Sequence, residues 1–335
     1  MTNRQCRLAA RPSGLPGATD WEFTEEAVPA PAEGEFLVRN EYLSVDPAMR
    51  AWMNDVPSYV PPVQLGEVMR AAGIGRVVES RHPDYSVGDT VYGTFGVQRF
   101  ALADGRGVTP VDTSVASAPT HLGALGLSGL TAYFGLLDIG RPEPGQTVVV
   151  SAAAGSVGSI TGQIAKIRGC RAIGIAGGPE KCALLVDQLG FDAAIDYKSE
   201  HVGRRLRDLA PDGIDVFFDN VGGAILEGAL GNLARGARIV LSGAVSQYNS
   251  PPSGPRNYMQ LLIRRATMAG FVIFDYARRY PEARAELAEW VRAGSITGLE
   301  TIVDGDIDRF PETLLKLFTG GNTGKLILAL PGRQG

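Results

Sequence analysis

The chain has 335 residues, 44% of them apolar and 20% charged, with 43 Gly and 21 Pro. That length exceeds one ordinary core, so two domains are expected, and the composition excludes collagen and wholesale disorder. Lys and Arg number 32 against 36 Asp and Glu, a net charge of −4 with no long run of either sign. A polyanion-coating surface is thereby excluded and no nucleic-acid partner is expected, although a local basic pocket for one phosphate remains compatible.

The first hundred or so residues read as short strands broken by turns. Glu35 to Tyr42 alternates, Ala72 to Glu79 is small and β-branched, and Ser86 to Gly93 is a turn feeding a strand. Pro and Gly recur between them, which predicts an irregular β-rich module. From His121 to Ile139 apolar residues fall at helical spacing, and Arg141 to Gly145 closes that stretch with a turn. Strand-like runs then alternate with helix-length intervals: Thr147 to Ser151, Arg171 to Ala176, Ala193 to Asp196, Ile214 to Asp219 and Ala237 to Ser242. Short apolar runs joined by helices predict a parallel sheet covered on both faces, a doubly wound α/β fold. Thr267 to Phe274 would add a sixth strand, and Arg279 to Ala293 reads as a charged amphipathic helix containing Trp290. The tail, Gly298 to Val303 and Lys325 to Leu330, returns to strand character. It can complete the first module, so that a nucleotide domain at 121–294 is inserted in a β-rich domain made of 1–120 and 295–335.

The three cysteines, Cys6, Cys170 and Cys182, form no C-x-x-C pair, and the three histidines, His82, His121 and His201, lie in unrelated segments. A disulfide framework and a thiolate-rich zinc site are not expected, and the histidines read as solvated or core residues. Met1 to Ala10 is polar, and the apolar stretches are cut by Gly or charge well short of ~18 residues, so no membrane partner and a soluble cytoplasmic protein are expected.

The most informative stretch is Thr147 to Ser159 (TVVVSAAAGSVGS). Against G-x-G-x-x-G it reads Ala153-x-Gly155-x-x-Gly158, after a strand and before a helix. Gly155 lets backbone approach a pyrophosphate, Gly158 permits close helix packing, and the helix start through Ser156 and Val157 favours an anion. An NAD-selective site carries an acid at the end of the next strand, about 20 residues on, to hold the ribose 2′-hydroxyl. Here that strand leads into Ala176-Gly-Gly-Pro-Glu-Lys181 with no acid at its end. A 2′-phosphate would pair with Lys181, which points to NADPH; the alternative for Lys181 is a solvated lysine at a helix start.

Six ordered segments together resemble one family across nearly the whole chain. They are Ser44 to Arg50 (SVDPAMR), Gly129 to Leu137 (GLTAYFGLL), Ala152 to Gly158 (AAAGSVG), Phe218 to Gly223 (FDNVGG), Ser242 to Asn249 (SGAVSQYN) and Gly321 to Lys325 (GNTGK). The chain resembles the zinc-independent medium-chain dehydrogenase/reductases, in the group of alkenal/one oxidoreductases, prostaglandin reductases and bacterial curcumin reductases. The resemblance implies a Rossmann domain inserted in a GroES-like domain, a cofactor in the cleft between them, and a homodimer. It implies that Gly155 to Gly158 cradle the pyrophosphate and that Lys181 and Tyr197 approach the 2′-phosphate. Asn220, Ser242, Gly243, Ala244, Tyr248, Phe271, Val272, Ile273 and Asn322 would line the rest of the cofactor. Where zinc-dependent relatives carry catalytic Cys and His ligands, this chain has Ser44-Val45-Asp46-Pro47 and Gly66-Glu67-Val68-Met69.

Without a metal, a conjugated enone or enal is the better hydride acceptor, because charge develops on its carbonyl oxygen, which needs only a hydrogen-bond donor. Tyr248 is the candidate donor, since a phenol with a pKa of ~10 is protonated at neutrality; the alternative is that it packs the nicotinamide while water delivers the proton. Met49 and Arg50 are candidates to border the substrate, with a structural ion pair as the other reading of Arg50. Tyr258, Phe274 and Tyr276 are candidates for an apolar wall or for core packing. Two departures from the family pattern, Ala48 where Tyr is usual and Leu127-Ser128 where Met-Pro is frequent, keep substrate preference open. Quinone reduction and a non-catalytic NADPH-binding role are the competing functions.

Overall fold

The computed structural model describes residues 2–251 and 253–333. The first part of the chain forms β1 (Thr2–Leu8), β2 (Trp21–Ala27), β3 (Phe36–Val45), the short helix α1 (Ala48–Trp52), β4 (Ala72–Ser80), β5 (Thr90–Thr94), β6 (Phe100–Ala103), β7 (Thr109–Pro110) and α2 (Ala118–Leu122). β1 and β2 form a two-stranded antiparallel sheet.

The middle of the chain alternates helix and strand: α3 (Leu127–Phe134), β8 (Thr147–Ser151), α4 (Ser156–Ile167), β9 (Arg171–Ala176), α5 (Pro179–Asp187), β10 (Ala193–Asp196), α6 (Val202–Leu209), β11 (Ile214–Asp219), α7 (Gly223–Leu230), β12 (Leu233–Leu241), α8 (Gln260–Arg264), β13 (Thr267–Gly270) and α9 (Tyr280–Arg292). The strands lie in the order β10-β9-β8-β11-β12-β13, and every pairing is parallel. This is the doubly wound Rossmann order, with its reversal of winding beside β8. One core face is built from Val149, Ile173, Ile175, Phe217 and Ile239 of the strands with Leu206, Leu226 and Leu230 of the helices. A strand buried on both faces needs apolar residues at successive positions, which is why TVVVS, RAIGIA and IDVFFD carry no polar alternation.

The chain returns through β14 (Glu300–Asp304), α10 (Phe310–Thr319) and β15 (Lys325–Ala329). β14 and β15 join the earlier strands in the order β14-β15-β3-β4-β5-β7, with β6 also on β3. Two compact units result, Met1–Leu122 with Glu300–Asn322 and Leu326–Gly335, and Gly123–Leu299 with Thr323–Lys325. The Rossmann sheet is therefore inserted, in chain order, within a β-rich unit. The core of that unit joins Leu8, Leu43, Met53 and Met69 to Phe310, Leu314, Leu326 and Leu328 of the returning tail. Among the described residues no helix is long and apolar enough to cross a membrane.

Three elements differ from the sequence expectation. The stretch from His121 to Ile139 is not one helix: α2 ends at Leu122, α3 starts after Gly126, and Gly135–Gly140 continues it as a wider π turn. At Gly129 a Cβ would lie 1.8 Å from the Ala124 carbonyl oxygen, so the break and the glycine belong together. The sixth strand stops at Gly270, and Ile273–Arg279 forms a 3-10 helix. A short apolar run suits a strand or a helix equally, and here Phe271 and Tyr276 face one another at 6.3 Å between ring centres. The tail also holds α10, whose Pro311 at its first turn and Gly320 in the left-handed region at φ 75° are start and stop signals.

Candidate functional site

The carboxyl ends of β8, β9, β11 and β12 carry the candidate cofactor residues. After β8 the chain turns sharply, with Ala152 at φ 47° and Gly155 donating to the Ala152 carbonyl at 2.9 Å. Gly155 precedes α4 in extended conformation, and no side chain caps the helix. A Cβ on Gly158 would sit 2.4 Å from the Ala152 oxygen and 2.8 Å from the Ala153 Cα, both backbone atoms, so the helix reaches this distance only with glycine. The Ser156 hydroxyl is buried at this helix start with no hydrogen-bond partner. An uncapped helix N-terminus with a buried hydroxyl and a backbone surface at Gly155 fits a phosphate, which supplies acceptors for both. The segment Thr323–Lys325 runs beside this turn: Gly324 donates to the Ala154 carbonyl at 2.8 Å and bridges Gly155. Its φ of 66°, and the 1.9 Å that would separate a Cβ from the Leu299 oxygen, fix that position as glycine.

β9 ends at Ala176 without an acid. The Tyr197 ring lies so close to Gly177 that a Cβ there would meet its atoms at 2.9 to 3.0 Å. Asp196, at the end of β10, is turned to backbone: it accepts from Gly178 N at 2.8 Å, Lys198 N at 3.0 Å and Ser199 Oγ at 2.8 Å. Those backbone donors, the Gly178 N–H foremost, hold its carboxyl below the usual range. Burial, and then the nearby Lys198, lower the pKa of Lys181. Two ammonium groups thus share this end of the sheet, and a cavity of about 330 Å³ opens beside Lys181, with Glu180, Leu184, Asp187 and Thr323 among its walls. Lys198 is a charge that the sequence reading did not single out.

At the end of β11, Asn220 donates through its side-chain amide to the Ser151 carbonyl at 2.8 Å. The loop from Ser242 to Tyr248 is sewn to the loop after β11. Ser242 N and Gly243 N both donate to Asp219 O, at 2.9 and 3.1 Å, Val245 N to Asn220 O at 3.1 Å, and Ser246 N to Val221 O at 3.2 Å. The Tyr248 hydroxyl accepts from Ala244 N at 3.3 Å. Phe271 abuts Gly135, where a Cβ would meet its ring at 2.6 Å, and the Ile273 carbonyl accepts from the Tyr280 hydroxyl at 2.9 Å. Val272 is half-buried between them.

Other candidates are placed elsewhere. Tyr258 and Phe274 are exposed at the surface of the Rossmann unit, and Tyr276 stacks on Phe134 at 4.6 Å between ring centres. In the β-rich unit, Met49 is fully buried in the core. Arg50 is turned into its own unit, donating to Gly14 O at 2.8 Å, Pro12 O at 2.9 Å and Asn54 Oδ1 at 2.7 Å. Burial lowers its pKa, against the attraction of Asp20. It thus fastens the loop at 12–14 through backbone carbonyls rather than through an ion pair. Asn322 is half-buried at the end of the tail segment of this unit. Among the described residues no group of three or more His, Cys, Asp or Glu side chains is arranged to hold a metal ion.

Residues 4–111 match the family model described as the N-terminal domain of oxidoreductase, and residues 156–289 match that of zinc-binding dehydrogenase. The chain is 41% identical over 337 residues to the NADPH-dependent curcumin reductase of Escherichia coli, covering 98% of this chain and 97% of that protein. It is 35% identical over 340 residues to the NADP(+)-dependent 2-alkenal reductase of Nicotiana tabacum, again covering 98% and 97%. The crystal structure of CurA in complex with NADPH from Vibrio vulnificus superposes with a TM-score of 0.93 at 43% identity, covering 99% of this chain and 100% of that one.

Proposed function

The chain belongs to the zinc-independent medium-chain dehydrogenase/reductases, in the group that contains curcumin and alkenal reductases, and from that premise we propose that it uses NADPH to reduce the C=C bond of α,β-unsaturated aldehydes or ketones. The observation that carries the cofactor part is the turn after β8, where Gly158 brings helix and strand together and the Ser156 hydroxyl waits buried without a partner. The N–H groups from Gly155 through Ser156 and Val157 to Gly158 would hold the pyrophosphate, and Lys181, Lys198 and Tyr197 the 2′-phosphate. Asn220, Ser242, Gly243, Ala244, Phe271, Val272 and Ile273 would border the rest of the cofactor. NADPH, when bound, supplies the hydride.

The chain's own part in the reaction is to hold the acceptor and the proton. As hydride reaches the β-carbon, the carbonyl oxygen becomes an enolate, and a fixed O–H donor lowers the energy of that charge. We assign this donor to Tyr248. Accepting the Ala244 N–H orients its oxygen, and a phenol carries its hydrogen at neutral pH. The α-carbon then takes a proton from Tyr248 or from water.

NADPH absorbance followed with a panel of enals, enones and quinones tests this, with the product identified as saturated carbonyl or allylic alcohol. Turnover confined to quinones, or NADPH binding with no turnover on any acceptor, would replace the proposal. Tyr248→Phe is expected to lower kcat by about 100-fold, the usual loss for one oxyanion donor; full turnover would remove Tyr248 from the chemistry.

A second copy of the chain is the proposed macromolecular partner. β13 is the last strand of its sheet, and Tyr258, Met259, Leu262 and Ile263, just before it in the chain, are exposed. Light scattering should report a dimer that Leu262→Glu dissociates.

A further inference from the structure

We infer that Asp219 is a positioning residue: its buried carboxylate, held by Ser151, sets the two loops that would border the nicotinamide half of the cofactor. The inference rests on the reading of the Rossmann unit as an NADPH site and adds to it a residue outside the cofactor-lining set.

The geometry starts from register. Val148, Val149 and Val150 of β8 lie opposite Val216, Phe217 and Phe218 of β11, which leaves Ser151 and Asp219 as the next pair, at the carboxyl ends of adjacent central strands. Both are fully buried. Ser151 Oγ donates to Asp219 Oδ1 at 2.8 Å and accepts from Asn220 N at 2.8 Å. Asp219 Oδ1 also accepts from Val221 N at 3.0 Å, and Gly222 N reaches both carboxylate oxygens at 3.1 Å. The side chain therefore bends the chain after β11 into a tight loop, and Gly222, at φ 73°, completes that turn.

The backbone of the same residue reaches the next strand. Its carbonyl accepts from both Ser242 N and Gly243 N, at 2.9 and 3.1 Å, which begins the Ser242–Tyr248 loop. One residue thus ties the ends of β8, β11 and β12, the edge at which ligands of this fold bind. A carboxylate buried this deeply has its pKa raised by desolvation, and the three kinds of donor around it oppose that rise. Removing one oxygen from such a set leaves a buried N–H facing a donor instead of an acceptor, which costs more than an exposed bond would.

The experiment compares two ligands on the whole chain. NADPH spans both halves of the proposed site, whereas 2′,5′-ADP carries only the adenosine end with its 2′-phosphate, the end proposed for Lys181, Tyr197 and Lys198 beyond β9 and β10. Asp219→Asn is expected to raise the NADPH Kd about tenfold, with Ser151→Ala raising it somewhat less, and the double variant to fall short of the product of the two, as coupled partners do. The 2′,5′-ADP Kd should stay within about twofold, inside the error of additive distant changes. A merely structural Asp219 would weaken both ligands together or lower the melting temperature with neither affinity changed, and either result overturns the inference. Should Asp219→Asn fail to fold, Ser151→Ala carries the same test, because it removes one donor to the carboxylate and keeps the carboxylate itself. Wild-type protein that binds neither ligand would overturn the NADPH reading instead, so the two failures are distinguishable.

Discussion

The turn after β8 and the helix α1 both carry segments that resemble the same family, yet the structure uses them differently. In the turn, glycine at 158 marks a space that does not exist, because a Cβ would lie 2.4 Å from a backbone oxygen. The residue type there dictates the geometry, and the geometry presents backbone N–H groups. In α1 the motif offers Met49 and Arg50, and both face inward: the first into the core, the second onto the carbonyls of Pro12 and Gly14. Gly158 reports an absence of room, which has one structural meaning. An arginine reports a charge, and its direction is decided by the fold.

The sharpest way to break this contrast is at the glycine. Gly158→Ala forces the helix off the strand, since the obstructing atoms are backbone and cannot rotate away. The NADPH Kd should rise by about 100-fold or more, equivalent to the ~3 kcal/mol that overpacking a tight contact costs. Wild-type affinity, read by nicotinamide fluorescence, would mean that the turn is not the phosphate cradle. The counterpart test is Arg50→Ala. It leaves the buried bond to the Pro12 carbonyl and the half-buried one to Gly14 without their donor, and denaturant unfolding should show a loss of about 2–3 kcal/mol. Unchanged stability together with a raised KM for the enone would return Arg50 to the substrate side and erase the contrast.

Much of the fold was legible because parallel strands must be apolar throughout, so TVVVS, RAIGIA and IDVFFD announced themselves and their spacing left room for helices. The turn after β8 was legible through Gly158, where a Cβ would meet backbone atoms at 2.4 and 2.8 Å and no other residue fits. Two parts of the site were not. Ser151 and Asp219 each close an apolar strand with one polar residue, a visible signal, but only the register of β8 against β11 makes them partners. Lys198 follows a strand that the sequence places correctly, and its closeness to Lys181 comes from the lateral order of β9 and β10. Side-by-side relations in a sheet are long-range facts, and a single sequence encodes them only through packing. The same holds for Phe271 to Tyr276, whose apolar run suits strand or helix until the ring of Phe271 finds Gly135.

The smallest expected effect tests the other end of the turn's function, where charge rather than shape would select the ligand. Lys181→Ala should weaken NADPH about five- to tenfold, as loss of one partly exposed charge-assisted bond does, and leave NADH unmoved. The sign of the pH dependence follows from the lysine itself. Burial and Lys198 lower the pKa of Lys181 in the ligand-free protein, so its cation is lost as pH rises sooner than that of an ordinary lysine. NADPH affinity should therefore decline on the alkaline side, beginning below the usual lysine range, while NADH affinity stays level there. Lys198→Ala removes the neighbouring cation that depresses Lys181, which should move the decline to higher pH and take away part of the attraction for the 2′-phosphate. A decline that persists in Lys181→Ala at the same pH would assign the selectivity to another group, and the preference for NADPH would then need a source other than the charge at the start of α5.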